Sequence, residues 1–224
     1  MPDIGSVEQF SDTSGDPPVR GFLHSPESSN GNALVLAHSA GGDCQSRLVQ
    51  AIAGAFCDAG FFVLRMNLPF RQERQHGPPF PGDAARDREG LRRAVMVMNE
   101  KTGGTIYLGG HSYGGRQSTM LAADDPMVAA GLLLLSYPLH PPRKPAQLRT
   151  AHFPKLHTPA LFVHGSRDPF GLLDEMNAAL KVIPGRHMLL PLEGAGHELL
   201  GRKTPPDFPQ QVVSTFSSFI GFAQ

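Results

Sequence analysis

The chain has 224 residues, 40% of them apolar, and its 20 Lys and Arg residues balance its 20 Asp and Glu residues. This length and apolar content suit one sizeable core, so we expect a single domain over residues 1–224. A formal net charge of zero argues against nucleic acid or a membrane surface as the partner and favours a small-molecule substrate.

Cysteine usage and hydropathy restrict the compartment. Cys44 and Cys57 are too few for a disulfide scaffold, and the opening MPDIGSVEQF lacks the basic and apolar order of a signal peptide. No apolar run approaches the ~20 residues that span a bilayer. We therefore expect a cytoplasmic protein, monomeric or homodimeric, that makes no membrane contact.

Short apolar runs alternate with segments of helical spacing along the chain. An antiparallel edge strand or hairpin is predicted at 18–24, and buried strands at 33–38, 61–66, 105–110, 129–136, 160–165 and 186–192. Helices are predicted at 45–59, 84–100, 113–123, 171–180 and 207–222. This order is typical of an α/β fold with a mostly parallel sheet and helices on both faces.

Two Pro-rich segments, 67–83 and 137–159, interrupt the pattern and are predicted to be irregular loops. Each begins where a predicted strand ends. Ligands of open parallel sheets bind beyond the carboxyl ends of the strands, so both segments are candidate walls of a pocket.

The stretch GGHSYGG, residues 109–115, places Ser112 among four glycines between a predicted strand and a predicted helix. A nucleophile elbow requires this order of strand, sharp turn and helix, and glycines leave room for a serine in strained geometry. The helix N-terminus favours negative charge that develops nearby. Ser112 is therefore the candidate nucleophile.

A serine needs a base to take its proton and an acid to orient that base. Asp168, in HGSRDPFG, follows one predicted strand, and His197, in LEGAGHELL, follows the last one. The order Ser, Asp, His is the one expected for this fold. Asp168 could instead cap the following helix, with Glu193 or Asp174 then supplying the carboxylate.

The loop LAHSAGGD, residues 36–43, follows a strand and is rich in small residues. The backbone amides of Ala40 and Tyr113 are the candidate oxyanion hole. Arg71, Arg74 and His38 are candidate substrate contacts, as are charged residues of the second Pro-rich segment: Arg143, Lys144 and Arg149. No spacing typical of metal ligands or of nucleotide-binding loops occurs, so we expect neither a metal nor another cofactor.

With AHSAGG, GHSYGG, HGSRDPFG and GAGH in this order, the chain resembles the α/β-hydrolase superfamily, and within it the small dienelactone-hydrolase-like members. RMNLPF, SYPLHPP and RDPFG further resemble the branch that contains the testis-expressed protein 30 type of domain. The resemblance covers nearly the whole chain. It implies a core sheet of eight or slightly fewer strands and a triad of Ser112, Asp168 and His197.

Two features differ from many members of that superfamily. His38 and Ser39 stand where a His-Gly pair is common, and residues 136–160 are too few for a helical cap with its own core. We expect a relatively open site that hydrolyses a small carboxylic ester or thioester. Alternatives are an acyltransferase or peptidase with the same triad, and an interaction module whose site is blocked by Phe70, Phe80 or Phe170.

Overall fold

The computed structural model describes residues 5–202 and 204–221. The strands are β1 Ser6–Asp12, β2 Val19–Ser25, β3 Asn32–Ala37, β4 Phe62–Asn67, β5 Thr105–His111, β6 Leu132–Leu135, β7 Ala160–Gly165 and β8 His187–Leu192. The helices are α1 Arg47–Asp58, α2 Pro69–Glu73, α3 Asp83–Thr102, α4 Tyr113–Asp124, α5 Leu173–Leu180 and α6 Phe208–Ile220.

The eight strands form one sheet in the order β1-β2-β4-β3-β5-β6-β7-β8. β3 to β8 run parallel, whereas β2 is antiparallel to both β1 and β4. The predicted α/β class with a mostly parallel sheet is confirmed. Because the six parallel strands share one carboxyl edge, the loops that follow β3, β5, β7 and β8 emerge on the same side of the molecule.

Helices cover both faces of the sheet, and β3 shows how its residues are divided between them. Ala33, Val35 and Ala37 belong to the core shared with α3, α4 and α5, while Leu34 and Leu36 belong to the core shared with α1 and α6. Since successive side chains of a strand point to opposite faces, a strand covered on both sides is continuously apolar. This is why the central strands could be recognised as short apolar runs.

The N-terminal strands form a hairpin, one of the two arrangements expected around residues 18–24. β2 pairs with β1 from Ser6↔Ser25 to Asp12↔Val19, so β1, not β2, lies at the edge of the sheet. β1 gives no sequence signal because its side chains are mostly exposed. An exposed edge strand does not need an apolar face.

Other differences from the predicted boundaries are local. The segment 67–83 is not wholly irregular, because Pro69, whose fixed φ suits a first turn, begins the short helix α2. The strand predicted at 129–136 is limited to Leu132–Leu135. The helix predicted to end at Phe222 is described to Ile220, and Phe222 lies outside the described residues.

The stretch between β6 and β7, residues 136–159, contains one 3₁₀ turn, Phe153–Lys155, and no cap domain. In the described ranges, no helix has the length and apolar character needed to cross a membrane.

Candidate active site

Ser112 lies on a sharp turn between β5 and α4, with φ 52° and ψ −111°. A positive φ is unfavourable for a residue with a Cβ and persists where the surrounding structure enforces it. The Ser112 N–H donates to the carbonyl of Leu135 at 2.8 Å, which fixes the turn against β6. The predicted strand, turn and helix are therefore present.

The glycines on either side of Ser112 allow the elbow to pack against β3. A Cβ on Gly110 would lie 2.5 Å from the carbonyl oxygen of Ala37, and one on Gly114 would lie 2.7 Å from that of His38. Backbone atoms cannot yield at such distances. Gly114 instead donates its N–H to the His38 carbonyl at 3.1 Å and so joins the elbow to the loop after β3.

The structure brings Ser112, His197 and Asp168 together. His197 Nε2 lies 2.8 Å from Ser112 Oγ, and His197 Nδ1 lies 2.8 Å from Asp168 Oδ2. Asp168 is fully buried, whereas Glu193 and Asp174, the other carboxylates considered from the sequence, are exposed. Both ring nitrogens of His197 are thus engaged, one by a hydroxyl and the other by a buried carboxylate.

Backbone contacts hold this trio in place. Asp168 Oδ1 accepts the N–H of Phe170 at 2.9 Å, and His111 Nε2 donates to the carbonyl oxygen of His197 at 2.9 Å. The ring of Phe170 packs against the imidazole of His197 with centroids 4.2 Å apart. Burial lowers the pKa of His111, and the neighbouring charge of His197 lowers it further, so His111 is a neutral donor to the backbone.

The two candidate oxyanion amides belong to residues that border the same cleft as Ser112. Tyr113 is the first residue of α4, so its N–H has no acceptor inside the helix. Ala40 belongs to the loop after β3, and both residues line the cleft that contains Ser112. The side chain of Tyr113 is anchored as well, because its hydroxyl donates to the buried Asp87 at 2.7 Å.

Arg71, predicted as a substrate contact, forms hydrogen bonds to the backbone of two loops. Its guanidinium is buried, and its five N–H groups donate to five carbonyl oxygens, those of Ala40, Gly42, Arg74, Gln75 and Gly77, at 2.8–3.1 Å. With every donor engaged, it has none left for a ligand. Arg71 joins the loop after β3 to the loop after α2.

Arg74 and His38 are also held by the protein and are absent from the cleft wall. Arg74 pairs with Asp83 at 2.5 Å and lies over the ring of Phe80, 3.9 Å from its centroid. His38 is fully buried, donates from Nδ1 to the Ser39 carbonyl, and accepts the N–H of Leu68 at Nε2. Both candidate substrate contacts are thus engaged by protein groups, and neither borders this cleft.

The cleft beside Ser112 has a volume of about 740 Å³. Both Pro-rich segments contribute to its wall, as predicted: Pro78 and Pro79 from the first, Pro138 and Arg149 from the second. Of the three phenylalanines considered as obstacles, Phe170 lines the cleft, Phe70 is buried outside it, and Phe80 is 60% exposed. Ser112 and His197 both border the open space.

Arg116 also lines the cleft, although it was not among the candidate site residues predicted from the sequence. It lies one helical turn after Ser112, with its N–H bonded to the Ser112 carbonyl at 2.9 Å. That spacing of four residues along α4 was the available signal, since positions i and i+4 share a helix face.

The cysteines offer no competing nucleophile. Both are buried and free, and burial raises the pKa of Cys44 to about 11, which keeps the thiol protonated at neutral pH. Within residues 5–202 and 204–221, the structure contains no group of three His, Cys, Asp or Glu side chains that could hold a metal ion.

Known structures share this fold. An alpha-beta serine hydrolase homologue from Coxiella burnetii superposes with a TM-score of 0.76 at 18% identity, covering 93% of this chain and 96% of its own. The dienelactone hydrolase from Anabaena variabilis gives 0.74 at 19% identity, covering 97% of each chain. A serine hydrolase without a lid from Xanthomonas campestris gives 0.72 at 17% identity, covering 100% and 99%.

A sequence profile described as an alpha/beta hydrolase domain matches residues 30–221, from the start of the parallel sheet to the end of α6. The matched region includes the elbow, the buried carboxylate and the histidine loop. The chain belongs to the alpha/beta hydrolase domain family.

Proposed function

We propose that this protein is a serine hydrolase that cleaves a carboxylic ester or thioester of a small substrate through an acyl-enzyme on Ser112. The observation that carries the proposal is the continuous set of contacts from Ser112 Oγ through His197 to the buried Asp168, with both distances 2.8 Å. The finer resemblance to the testis-expressed protein 30 branch stays a prediction.

In the acylation step, Ser112 Oγ attacks the substrate carbonyl carbon while His197 Nε2 takes the hydroxyl proton. Asp168 stabilises the imidazolium and keeps the proton on Nδ1. The N–H groups of Tyr113 and Ala40 donate to the oxyanion. When the tetrahedral intermediate collapses, the bond from carbon to the leaving oxygen or sulfur breaks, and the leaving group takes the proton from His197.

Deacylation repeats these steps with water as the nucleophile. His197 Nε2 takes a proton from the water as its oxygen bonds to the acyl carbon. The second intermediate collapses, Ser112 leaves and regains its proton, and the free acid departs. His111 stays neutral because burial lowers its pKa, so the cationic form of His197 has no second imidazolium beside it.

The cleft favours small substrates. It is open, and the described residues between β6 and β7 form no lid that would enclose a long apolar chain. Prolines of both wall segments border it, and proline loses little conformational entropy when a ligand binds. We therefore place short acyl esters and thioesters ahead of lipids.

The test is hydrolysis of 4-nitrophenyl acetate and of a short-chain acyl thioester by the wild type, Ser112→Ala, His197→Ala and His157→Ala. His157 is an exposed histidine outside the cleft and serves as the matched control. We expect the first two variants to lose turnover, while thermal unfolding of Ser112→Ala stays within about 2 °C of the wild type. Undiminished turnover by Ser112→Ala would show that Ser112 is not the nucleophile.

A further inference from the structure

Two arginines that take no part in the proposed chemistry line the cleft with Ser112 and His197. Arg116 projects from α4 one turn beyond the elbow, and Arg149 lies on the segment between β6 and β7. The backbone of Arg149 is fixed, because its N–H donates to the Leu139 carbonyl at 2.8 Å and its carbonyl accepts the Tyr137 hydroxyl at 2.6 Å. Two different elements thus bring cations to the same cleft.

In the part of the chain that the structure describes, neither guanidinium has a carboxylate within 4 Å. The arginines Arg74, Arg86, Arg92 and Arg93 all do, in pairs with Asp83, Asp16, Asp125 and Asp12. Arg116 Nε is moreover buried without a hydrogen-bond partner among the described residues. A buried donor left unpaired costs free energy, so a shift of the side chain that gave Arg116 an acceptor would be favourable.

Two acidic residues lie near the pair. Glu198 lines the same cleft, and Asp124 lines a neighbouring pocket that both arginines also border. Among the described residues, neither carboxylate forms an ion pair with Arg116 or Arg149. Burial lowers the pKa of Arg149, and the charge of Arg116 lowers it further, so the two cations that line the cleft repel each other. An anion between them would relieve that repulsion.

Resting on the proposed function, we propose that Arg116 and Arg149 bind an anionic group of the substrate, a carboxylate or a phosphate, while Ser112 attacks its acyl carbon. A guanidinium presents N–H donors in a planar fork that matches such groups, and two of them can bind one anion from two sides. The preferred substrate is then the ester or thioester of an acid that carries a second, charged group.

The contact does not involve the reacting carbonyl, so it stabilises the bound substrate and the transition state alike. Such uniform binding lowers KM and leaves kcat nearly unchanged. Selectivity for the charged ester therefore lies in KM.

The first experiment compares mono-4-nitrophenyl glutarate with its uncharged methyl ester, which has the same acyl chain and leaving group. We expect kcat/KM of the wild type to be about tenfold or more higher for the charged ester. Arg116→Gln and Arg149→Gln should each remove most of that preference and leave turnover of the methyl ester within about twofold. Arg20→Gln, which removes an exposed arginine of β2, is the matched control and should retain it.

The second experiment needs no turnover. Titration calorimetry on Ser112→Ala should show glutarate or inorganic phosphate binding about tenfold or more tighter than glutaramide, with the difference lost in Ser112→Ala/Arg149→Gln. Comparing glutarate with phosphate identifies which anion the pair takes. Equal binding of all three compounds, or hydrolysis of both esters at equal efficiency, would overturn the anion site while leaving the serine chemistry intact. Anion binding without ester hydrolysis would support the site and count against the proposed function.

Discussion

Arg71 donates a hydrogen bond to the carbonyl oxygen of Ala40 at 3.1 Å, and its Nε–H donates to Gly42 at 2.8 Å. One guanidinium thereby shapes the loop that supplies a candidate oxyanion amide. The same guanidinium also donates to the carbonyls of Arg74, Gln75 and Gly77 in the loop after α2. The position of the Ala40 amide therefore depends on a residue that does not line the cleft.

Arg71→Lys tests this dependence. Lysine keeps the charge but cannot reach five carbonyls in a planar fork, so buried acceptors lose their partners. We expect kcat for 4-nitrophenyl acetate to fall about tenfold with little change in KM, and the free energy of unfolding to fall by about 2 kcal/mol. Arg20→Lys is the exposed control. Unchanged kcat in Arg71→Lys would show that the loop after β3 keeps its shape without the hydrogen bonds of Arg71.

Asp87 connects the elbow to α2, since Oδ2 accepts the Tyr113 hydroxyl at 2.7 Å and Oδ1 accepts the Phe70 N–H at 3.0 Å. Asp87→Ala leaves both buried donors unpaired, and we expect urea denaturation to show a loss of about 3 kcal/mol. Tyr113→Phe breaks one bond and should cost about 1 kcal/mol. Glu89→Ala, an exposed change on the same helix, should stay within about 0.5 kcal/mol. A loss no larger in Asp87→Ala than in Glu89→Ala would contradict the bridging role.

Asp168→Asn tests whether catalysis requires Asp168 to orient His197, because the variant keeps the histidine in the protein. The amide can donate where the carboxylate accepted, which favours the tautomer of His197 with no proton on Nδ1 and so leaves Nε2 protonated. We expect kcat to fall about 10³- to 10⁴-fold while thermal unfolding changes little. Asp174→Asn, an exposed carboxylate beyond reach of His197, is the control. A comparable loss in both variants would mean that the Asp168 contact has no special part in catalysis.

Burial lowers the pKa of His38 to about 4, although the hydrogen bond from its Nδ1 to the Ser39 carbonyl acts in the opposite direction. The unfolded chain binds this proton near pH 6.5, so His38 contributes stability above that pH, and the contribution is lost as the pH falls toward 4. At pH 5 the loss is about 2 kcal/mol relative to pH 7.

Urea denaturation of the wild type and His38→Asn at pH 7 and pH 5 measures this contribution of His38 to the free energy of unfolding. Asparagine can still donate to the Ser39 carbonyl, but it has no imidazole to titrate. The drop in unfolding free energy between the two pH values should be about 2 kcal/mol smaller in His38→Asn. His157→Asn, which changes an exposed histidine, should behave as the wild type. If the unfolding free energy fell equally between pH 7 and pH 5 in all three proteins, a group other than His38 would cause the pH dependence.

The sequence predicted the candidate triad because its residues stand just after apolar runs, at the ends of strands. Ser112, Asp168 and His197 each follow a continuous apolar run, and the parallel order of those runs requires their loops to meet at one edge of the sheet. The family motifs pointed to the same residues. Their distances and burial still required the structure.

The sequence could not show the partners of Arg71 or the position of Arg116 in the cleft, because both depend on contacts between segments that are distant in sequence. Arg71 looked like a loop cation because composition cannot show that its donors reach carbonyls up to 31 positions away. Arg116 lies within the helix predicted at 113–123, but the sequence does not show which elements close the cleft around that helix. The importance of Arg116 appears once the segment carrying Arg149 folds across the same cleft.

The most direct test of the central claim is intact-mass analysis after treatment with a fluorophosphonate, followed by peptide mapping. Serine attack on phosphorus expels fluoride and leaves a stable adduct, so the reagent reports an accessible, activated hydroxyl. We expect one adduct on Ser112 in the wild type and in His157→Ala, and none in Ser112→Ala or His197→Ala. A folded wild type without an adduct, or an adduct of equal yield in Ser112→Ala, would contradict it and favour an interaction module over an enzyme.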